Sequence, residues 1–298
     1  MSMPHISLNK NGERYLAALL LSLPALIGLL LFHYWPIIDT FRLSLLDYRI
    51  FTGEFSWIGA DNYVRVAEDE VLRSSLTTTL LYFVFKVPVQ MAIALLLAIL
   101  VSQPMPGQGL LRTLILLPTV TSMVVASTTL GMMMHPDNGL INGFLSSVGL
   151  PEQGFLSSTA QALPSIAGIT IWKEVGMSML FYLAGLTTIP RSYYEAARVD
   201  GASNWHILRF ITVPLLRRTH IFVLITTTIA AFKVFVPVKV LTDGGPSGVT
   251  RVVVLYIYDL AFRFNQLGYA ATVSVILALI LIVISIIQLR VTKEEGDD

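Results

Sequence analysis

The chain has no cysteine among its 298 residues, little charge, and no recognisable nucleotide-binding or hydrolase motif. The missing cysteine removes disulfides, thiolate metal sites and cysteine nucleophiles together, and leaves the compartment open. Asp, Glu, Lys and Arg make up only 13% of the residues, against roughly 25% in an ordinary soluble domain. No G-x-x-x-x-G-K-[ST] phosphate loop is present, so the chain is not expected to hydrolyse ATP, and H-E-x-x-H and G-x-S-x-G are missing too. His5, His33, His135, His206 and His220 are scattered without metal-ligand spacing, so no metal or cofactor is expected on this chain. No basic stripe marks a nucleic-acid surface, and a net charge of +1 says little about partners.

What the chain does have is apolar length. Hydrophobic residues reach 54%, and six runs, near 15–35, 77–101, 111–134, 163–187, 219–241 and 268–290, are each long enough for a span. Crossing roughly 30 Å of hydrocarbon takes about 20 apolar residues as a helix. The expected fold is therefore an all-α polytopic membrane protein of six transmembrane helices. Residues 15–290 form the membrane domain, between an N-terminal tail, 1–14, and a C-terminal tail, 291–298. Lys10 and Arg14 before the first run resemble a signal peptide's start, but the run continues to Trp35 without a small-residue cleavage site, so a retained helix is expected. With the N-terminus inside, the inner segments carry ten Lys and Arg, from Lys10 and Arg14 to Arg290 and Lys293. The outer ones carry six: Arg42, Arg49, Arg65, Arg73, Arg251 and Arg263. That excess predicts both termini in the cytoplasm.

Two outer segments carry pattern. Residues 36–76 and the adjoining Trp35 supply Tyr48, Phe51, Phe55, Trp57 and Tyr63, which suit an aromatic belt at the membrane interface or contact with an extracytoplasmic partner. Residues 135–160 predict a short surface helix, and Gly and Pro punctuate 241–251 before an amphipathic run at 252–264.

One inner segment is polar where its surroundings are greasy. Residues 192–214 read SYYEAARVDGASNWHILRFITVP, two short helices broken at Gly201, with Ala196 and Ala197 on the first and Trp205, Leu208 and Ile211 on the second. Ser192 and Glu195 stand at capping-box spacing. Gly201 is expected in a left-handed conformation that ends the first helix. Pro214, lacking an N–H, is expected where the second helix turns into the fifth span. Small side chains allow close approach of another surface, although alanine is also the best helix former.

The spacing Glu195-Ala196-Ala197, three residues, Gly201, nine residues, Ile211, then Val213-Pro214 resembles the EAA loop of membrane subunits in ATP-driven (ABC) importers. Val213 departs from the usual leucine. HPDNGLIN at 135–142, LAGLTTIPRSYYEAARVDGAS at 183–203 and LTDGGPSGVTRVVVLYIYDLAF at 241–262 are similar to sugar-uptake permeases of the maltose and glycerol-3-phosphate transporter group. The similarity runs over nearly the whole chain from about residue 15. It implies a type I ABC importer permease fold in a bacterial inner membrane, and a cytoplasmic coupling loop at 191–214. In that loop Glu195, Ala196, Ala197, Asp200, Gly201, Ile211 and Pro214 meet an ATPase subunit. It also implies a second, related permease, two copies of the ATPase that use ATP and Mg, an extracytoplasmic solute-binding protein, and a sugar as cargo.

Within the spans, ionisable side chains are costly, about 2.5–3.5 kcal/mol each at the bilayer centre on insertion scales, so they mark cavities or partners. Lys86, Lys173 and Lys233 are expected at one depth, with Glu174, as a polar layer. Gln90 follows Lys86 by one turn, and Trp172 and Phe232 supply rings. These seven residues are the candidate substrate pathway. Each lysine has a second reading, in which its stem carries the amine to the interface, as is also expected of Lys239. Three lysines against one glutamate favour an anionic sugar derivative or pair with acids of a partner permease. An importer of another small polar solute remains an alternative, as does a membrane scaffold or sensor that docks a cytoplasmic partner through 191–214.

Overall fold

The computed structural model describes residues 10–293, and the chain there is helical almost throughout. Residues 1–9 of the expected N-terminal tail, including His5, and 294–298 of the C-terminal tail lie outside the described residues. The chain forms two compact units, one running to Ala67 and including Leu260–Val275, the other built from Glu68–Asp259 and from Ile276 onward.

The first unit opens with α1 (Lys10–Leu29), a π-helical turn (Leu30–Tyr34) and α2 (Trp35–Ser44). The π turn has a local cause. Pro36 has no N–H and its ring crowds the carbonyl four residues back, so the helix widens and Trp35 N–H reaches the carbonyl of Leu30, five residues back. A hairpin follows, with β1 (Leu46–Tyr48) antiparallel to β2 (Phe55–Trp57) in the register Leu46↔Trp57, and then α3 (Asp61–Val66). Buried Asn62 ties the unit together by donating to the carbonyls of Ser44 and Leu46, both at 3.1 Å.

The second unit contains α4 (Glu70–Ser102), α5 (Gln108–Val120), α6 (Met123–Met133), α7 (Leu140–Ser147) and α8 (Ala162–Thr187). It continues through α9 (Arg191–Val199), α10 (Asn204–Ile207), a π turn (Leu208–Thr212), α11 (Val213–Leu215), α12 (Arg217–Phe232), α13 (Val236–Leu241) and α14 (Val253–Tyr258). A third π turn, Asp259–Arg263, leads to the final α15 (Leu267–Lys293), and of these Leu260–Val275 belongs to the first unit. Asp69 starts α4 by accepting the N–H of Leu72 at 2.9 Å, and at 1.5 Å per residue the helix runs for about 50 Å. Its last turn is closed by Gln108 and Arg112, which both donate to the otherwise orphaned carbonyl of Val101.

Among the described residues five helical stretches are each long and apolar enough to cross a membrane: Ala17–Ser44, Glu70–Ser102, Ala162–Thr187, Arg217–Leu241 and Leu267–Arg290. The run expected as a span at 111–134 is broken into two helices, α5 and α6, bent by 98°, which pass the same test together, so the described residues carry five spans, or six with the bent pair counted as one. Pro118 cannot donate, Thr121 turns extended with both its N–H and its hydroxyl on the Pro118 carbonyl, and Ser122 restarts the chain as α6. The run expected at 219–241 is likewise interrupted, between Phe232 and Val236.

Two apolar clusters make the core of the second unit. One gathers Tyr82, Ile166, Val238 and Leu255, and the other Ala94, Ala98, Met179 and Val223. Both draw on α4 and α8, so the site described next sits in the middle of the best-packed part of the molecule.

Candidate functional site

The contact between α4 and α8 is polar at its centre. Tyr82 Oη lies 2.7 Å from Thr170 Oγ1, Lys86 Nζ 2.7 Å from Glu174 Oε2, and Gln90 Nε2 2.9 Å from Ser178 Oγ. Each pair advances four residues on both helices at a constant offset of 88, so the two helices run parallel and meet along their i, i+4 rows. Lys86 is 1% exposed and Gln90 is buried, whereas Glu174 keeps 31% of its side chain open. Two charges buried without each other would be costly, and a short ion pair flanked by hydrogen-bonded neighbours is how such a group is tolerated. Among the described residues, buried Gln90 Oε1 has no hydrogen-bond partner.

The other expected pathway residues fall elsewhere. Lys173 turns toward α5, its Nζ 3.4 Å from the carbonyl of Thr119, while Thr119 Oγ1 donates to the carbonyl of Lys173 at 3.1 Å. Trp172 lies exposed on α8. Phe232 is buried, its ring 5.7 Å from that of Phe83. Lys233 stands exposed just beyond the last turn of α12. The expected layer thus resolves into a Lys86, Glu174, Gln90 seam, closed at Lys86 and Gln90 and partly open at Glu174, and side chains that are not joined to it. Thr170, Ser178 and Tyr82 belong to the seam and were not singled out from the sequence, although their spacing of four from Lys86, Gln90 and Glu174 is visible there. Lys239 pairs with Asp243, in the segment that follows α13, at 2.8 Å, and lies 4.9 Å from the centre of the Tyr258 ring.

The polar loop is helical on both sides of Gly201. α9 begins at Arg191, with Pro190 in the capping position at φ −59° and ψ 136° and no side chain capping it. Ser192 is therefore already inside the helix, so the capping box expected from Ser192 and Glu195 does not form. Glu195 is exposed, and among the described residues it makes no side-chain hydrogen bond or ion pair. Gly201 has φ +76°, with Gly201 N–H on the carbonyl of Arg198 at 3.1 Å and Ala202 N–H on that of Ala197 at 2.9 Å. These two bonds are the Schellman pattern that ends a helix at a left-handed residue.

Ser203 then caps α10 by accepting from His206 N–H at 3.3 Å. The π turn at 208–212 repeats the device seen before Pro36, since Val213 N–H reaches the carbonyl of Leu208 immediately before Pro214. The turn into α12 comes at Leu216, two residues later than expected. Ala197, Ile207 and Thr212 of the loop are buried, Tyr194 packs against the core cluster of Met179 and Val223, and Thr212 Oγ1 lies 3.5 Å from the Tyr194 hydroxyl. Its opposite face presents Glu195, Ala196, Asp200 and Gly201, together with Tyr193, Trp205, Phe210 and Val199, the last 87% exposed. Leu208 and Ile211 are half-buried. Tyr193, Val199 and Phe210 are apolar residues in a polar stretch, and that contrast is the sequence signal for them.

This geometry has close relatives. The model of the binding-protein-dependent transport system inner membrane component family matches residues 66–294. The lactose transport system permease protein LacF of Rhizobium radiobacter is 37% identical over 277 residues, covering 91% of this chain and 92% of that one. The fold is that of a subunit in the crystal structure of a bacterial ABC transporter involved in the import of the acidic polysaccharide alginate (TM-score 0.84, 24% identity, 97% and 99% of the two chains). It also matches a subunit of the bacterial alginate ABC transporter in complex with an alginate pentasaccharide-bound periplasmic protein (TM-score 0.83, 25% identity, 95% and 98%). With the family model covering most of its length and a relative this similar over nine-tenths of it, the chain belongs to the family of binding-protein-dependent transport system inner membrane components and is a permease subunit of a multi-pass membrane transporter, not an enzyme.

Proposed function

We propose that the chain is one of two unlike permeases in an ATP-driven sugar importer. In this reading it couples its half of the pathway to a separate ATPase through residues 191–214. The observation that carries the proposal is the loop itself. A helix closed by a Schellman turn and anchored by buried Ala197, Ile207 and Thr212 holds a free carboxylate and several apolar side chains out to a partner. A coupling element must stay bound in both transport states, and a rigid, anchored loop meets that requirement.

Glu195, Ala196, Ala197, Asp200, Gly201, Ile211 and Pro214 are its functional positions: Glu195 and Asp200 supply charge, Ala196 close approach, and Ala197, Gly201, Ile211 and Pro214 the shape. Both termini and this loop face the cytoplasm, where two ATPase copies bind ATP and Mg, and this chain holds neither. Nucleotide binding closes the ATPase pair, the spans rock outward to receive solute from a binding protein, and hydrolysis resets them.

The cargo reading draws on the relatives, which include a lactose permease. The charges inside the spans favour an uncharged sugar over the anionic derivative expected from the lysine count. Lys86 is neutralised by Glu174 and Lys173 is directed at a backbone carbonyl, so these two cations are not aimed at a substrate. Trp172, Lys173, Glu174 and Lys233 keep open surface that a sugar could reach, while Gln90 and Phe232 are buried.

Reconstitution tests this directly. The full complex in liposomes should take up labelled lactose only with ATP, and this chain alone should neither transport nor hydrolyse ATP. Uptake by the single chain, or by a complex whose ATPase lacks hydrolysis, would sink the proposal.

A further inference from the structure

The first unit contains a preformed pocket of about 350 Å³, lined by Asp47, Arg49, Asp61, Arg65, Phe264 and Gln266 among others. That volume lies at the lower end of the roughly 300–1,000 Å³ typical of small sites, enough for one long side chain. Its walls are braced. Arg65 donates to Gln266 Oε1 at 3.0 Å and lies 4.1 Å from the centre of the Tyr269 ring, and Phe51 N–H donates to Asn265 Oδ1 at 2.9 Å. At Gly268 any Cβ would stand 1.9 Å from the carbonyl of Leu46, so the hairpin strand and the start of α15 touch through a glycine.

Beside the pocket the hairpin exposes Phe51, Phe55 and Trp57, and Glu54 stands on the same rim. Phe51 and Phe55 lack the polar tip that holds Tyr and Trp at headgroup level. The pocket and rim carry three carboxylates, Asp47, Glu54 and Asp61, against two guanidiniums, Arg49 and Arg65, and anionic headgroups would be repelled. Among the described residues Asp61 and Glu54 have no ion-pair partner. Apolar aromatics around a preformed, net-negative pocket are the makings of a protein interface with a basic anchor, since aromatic and arginine side chains dominate such contacts.

We propose that this pocket receives a lysine or arginine side chain of the extracytoplasmic solute-binding protein, whose apolar patch settles on Phe51, Phe55 and Trp57. The inference rests on the importer reading, which puts residues 36–76 outside, and a subunit of similar fold has been seen in a complex that includes a periplasmic protein.

The test uses the complete transporter in nanodiscs and reads ATPase activity against the concentration of its sugar-loaded binding protein. Asp61→Lys and Phe55→Ser should leave basal ATPase and the maximal stimulated rate unchanged, and raise the half-saturating concentration about tenfold or more, the effect of Asp61→Lys shrinking at high salt. Asp61→Asn should give a smaller shift in the same direction and guards against misfolding. Titration curves that superimpose on the unaltered one would overturn the proposal. So would variants whose titrations are unaltered but whose activity tracks the anionic lipid content of the disc, which would assign the hairpin to headgroups. An unaltered complex that no binding protein stimulates would bring down the importer reading instead, and this inference with it.

Discussion

Lys86 Nζ and Glu174 Oε2 lie 2.7 Å apart across the contact of α4 and α8, and the lysine is closed to its surroundings while the glutamate is one-third open. The pair is therefore asymmetric. Glu174→Gln strands an ammonium with nowhere to be solvated, a loss of about 3–5 kcal/mol for a buried pair broken from one side. Lys86→Met strands a carboxylate that retains some access to water, and should cost about 1–2 kcal/mol. The double variant Lys86→Met/Glu174→Gln should recover most of the loss of Glu174→Gln alone. Unfolding midpoints of the purified complex would show this order, and equal losses for the two single changes would contradict the asymmetry.

The same exposure predicts a labelling pattern. Because the chain has no native cysteine, single cysteines report cleanly. Glu174→Cys and Lys233→Cys should react with a polar thiol reagent in at least one nucleotide state. Lys86→Cys should stay inert in all of them. Reaction at position 86 would mean that the seam opens to water during transport.

Composition made the membrane class and the number of apolar runs legible, because a span is an integral of hydropathy over about 20 residues. The same integral is blind to a single backbone rotation, so the bend between Val120 and Met123 escaped it, although Pro-Thr-Val-Thr-Ser at 118–122 is a poor helix sequence. Ser192 and Glu195 matched a capping motif that the fold does not use, since Pro190, two residues earlier, already occupies the cap and sets the helix start at Arg191. The ion pair joins residues 88 apart, and no local periodicity announces which turn of α4 will meet which turn of α8. Gly201 was readable because its requirement is local: one left-handed residue at the end of one short helix.

Two glycines of α8 provide a controlled pair. A Cβ at Gly176 would stand 2.6 Å from the carbonyl oxygen of Ile115, which is backbone and cannot swing aside, whereas nothing lies within 4 Å of one at Gly168. Gly176→Ala should push α5 from α8, disturb the Thr119 and Lys173 bonds, and destabilise the protein by about 1–3 kcal/mol. Gly168→Ala should be neutral or slightly stabilising through helix propensity. Thermal unfolding in one detergent compares them, and equal midpoints would show that the α5–α8 contact yields more readily than the geometry indicates.

Glu195 and Gly201 should fail in different ways when altered. Since Glu195 caps nothing and has no partner within the described chain, Glu195→Ala should leave unfolding unchanged, and its whole effect should appear in the ATPase complex as reduced uptake and stimulated hydrolysis. A Cβ built at Gly201 would meet nothing within 4 Å among the described residues, so a side chain there meets no clash and the cost is the left-handed backbone alone, about 1–3 kcal/mol for a β-branched residue. Gly201→Asn, which tolerates that conformation, should retain most ATPase binding. Gly201→Val should weaken binding while the membrane spans stay folded, because the two bonds that close the turn at Arg198 and Ala197 would be lost. Pull-down of the ATPase with each variant separates the cases. If Gly201→Asn and Gly201→Val bound equally poorly, the glycine would be needed for bare surface against the partner, and the conformational account of this turn would have to be given up.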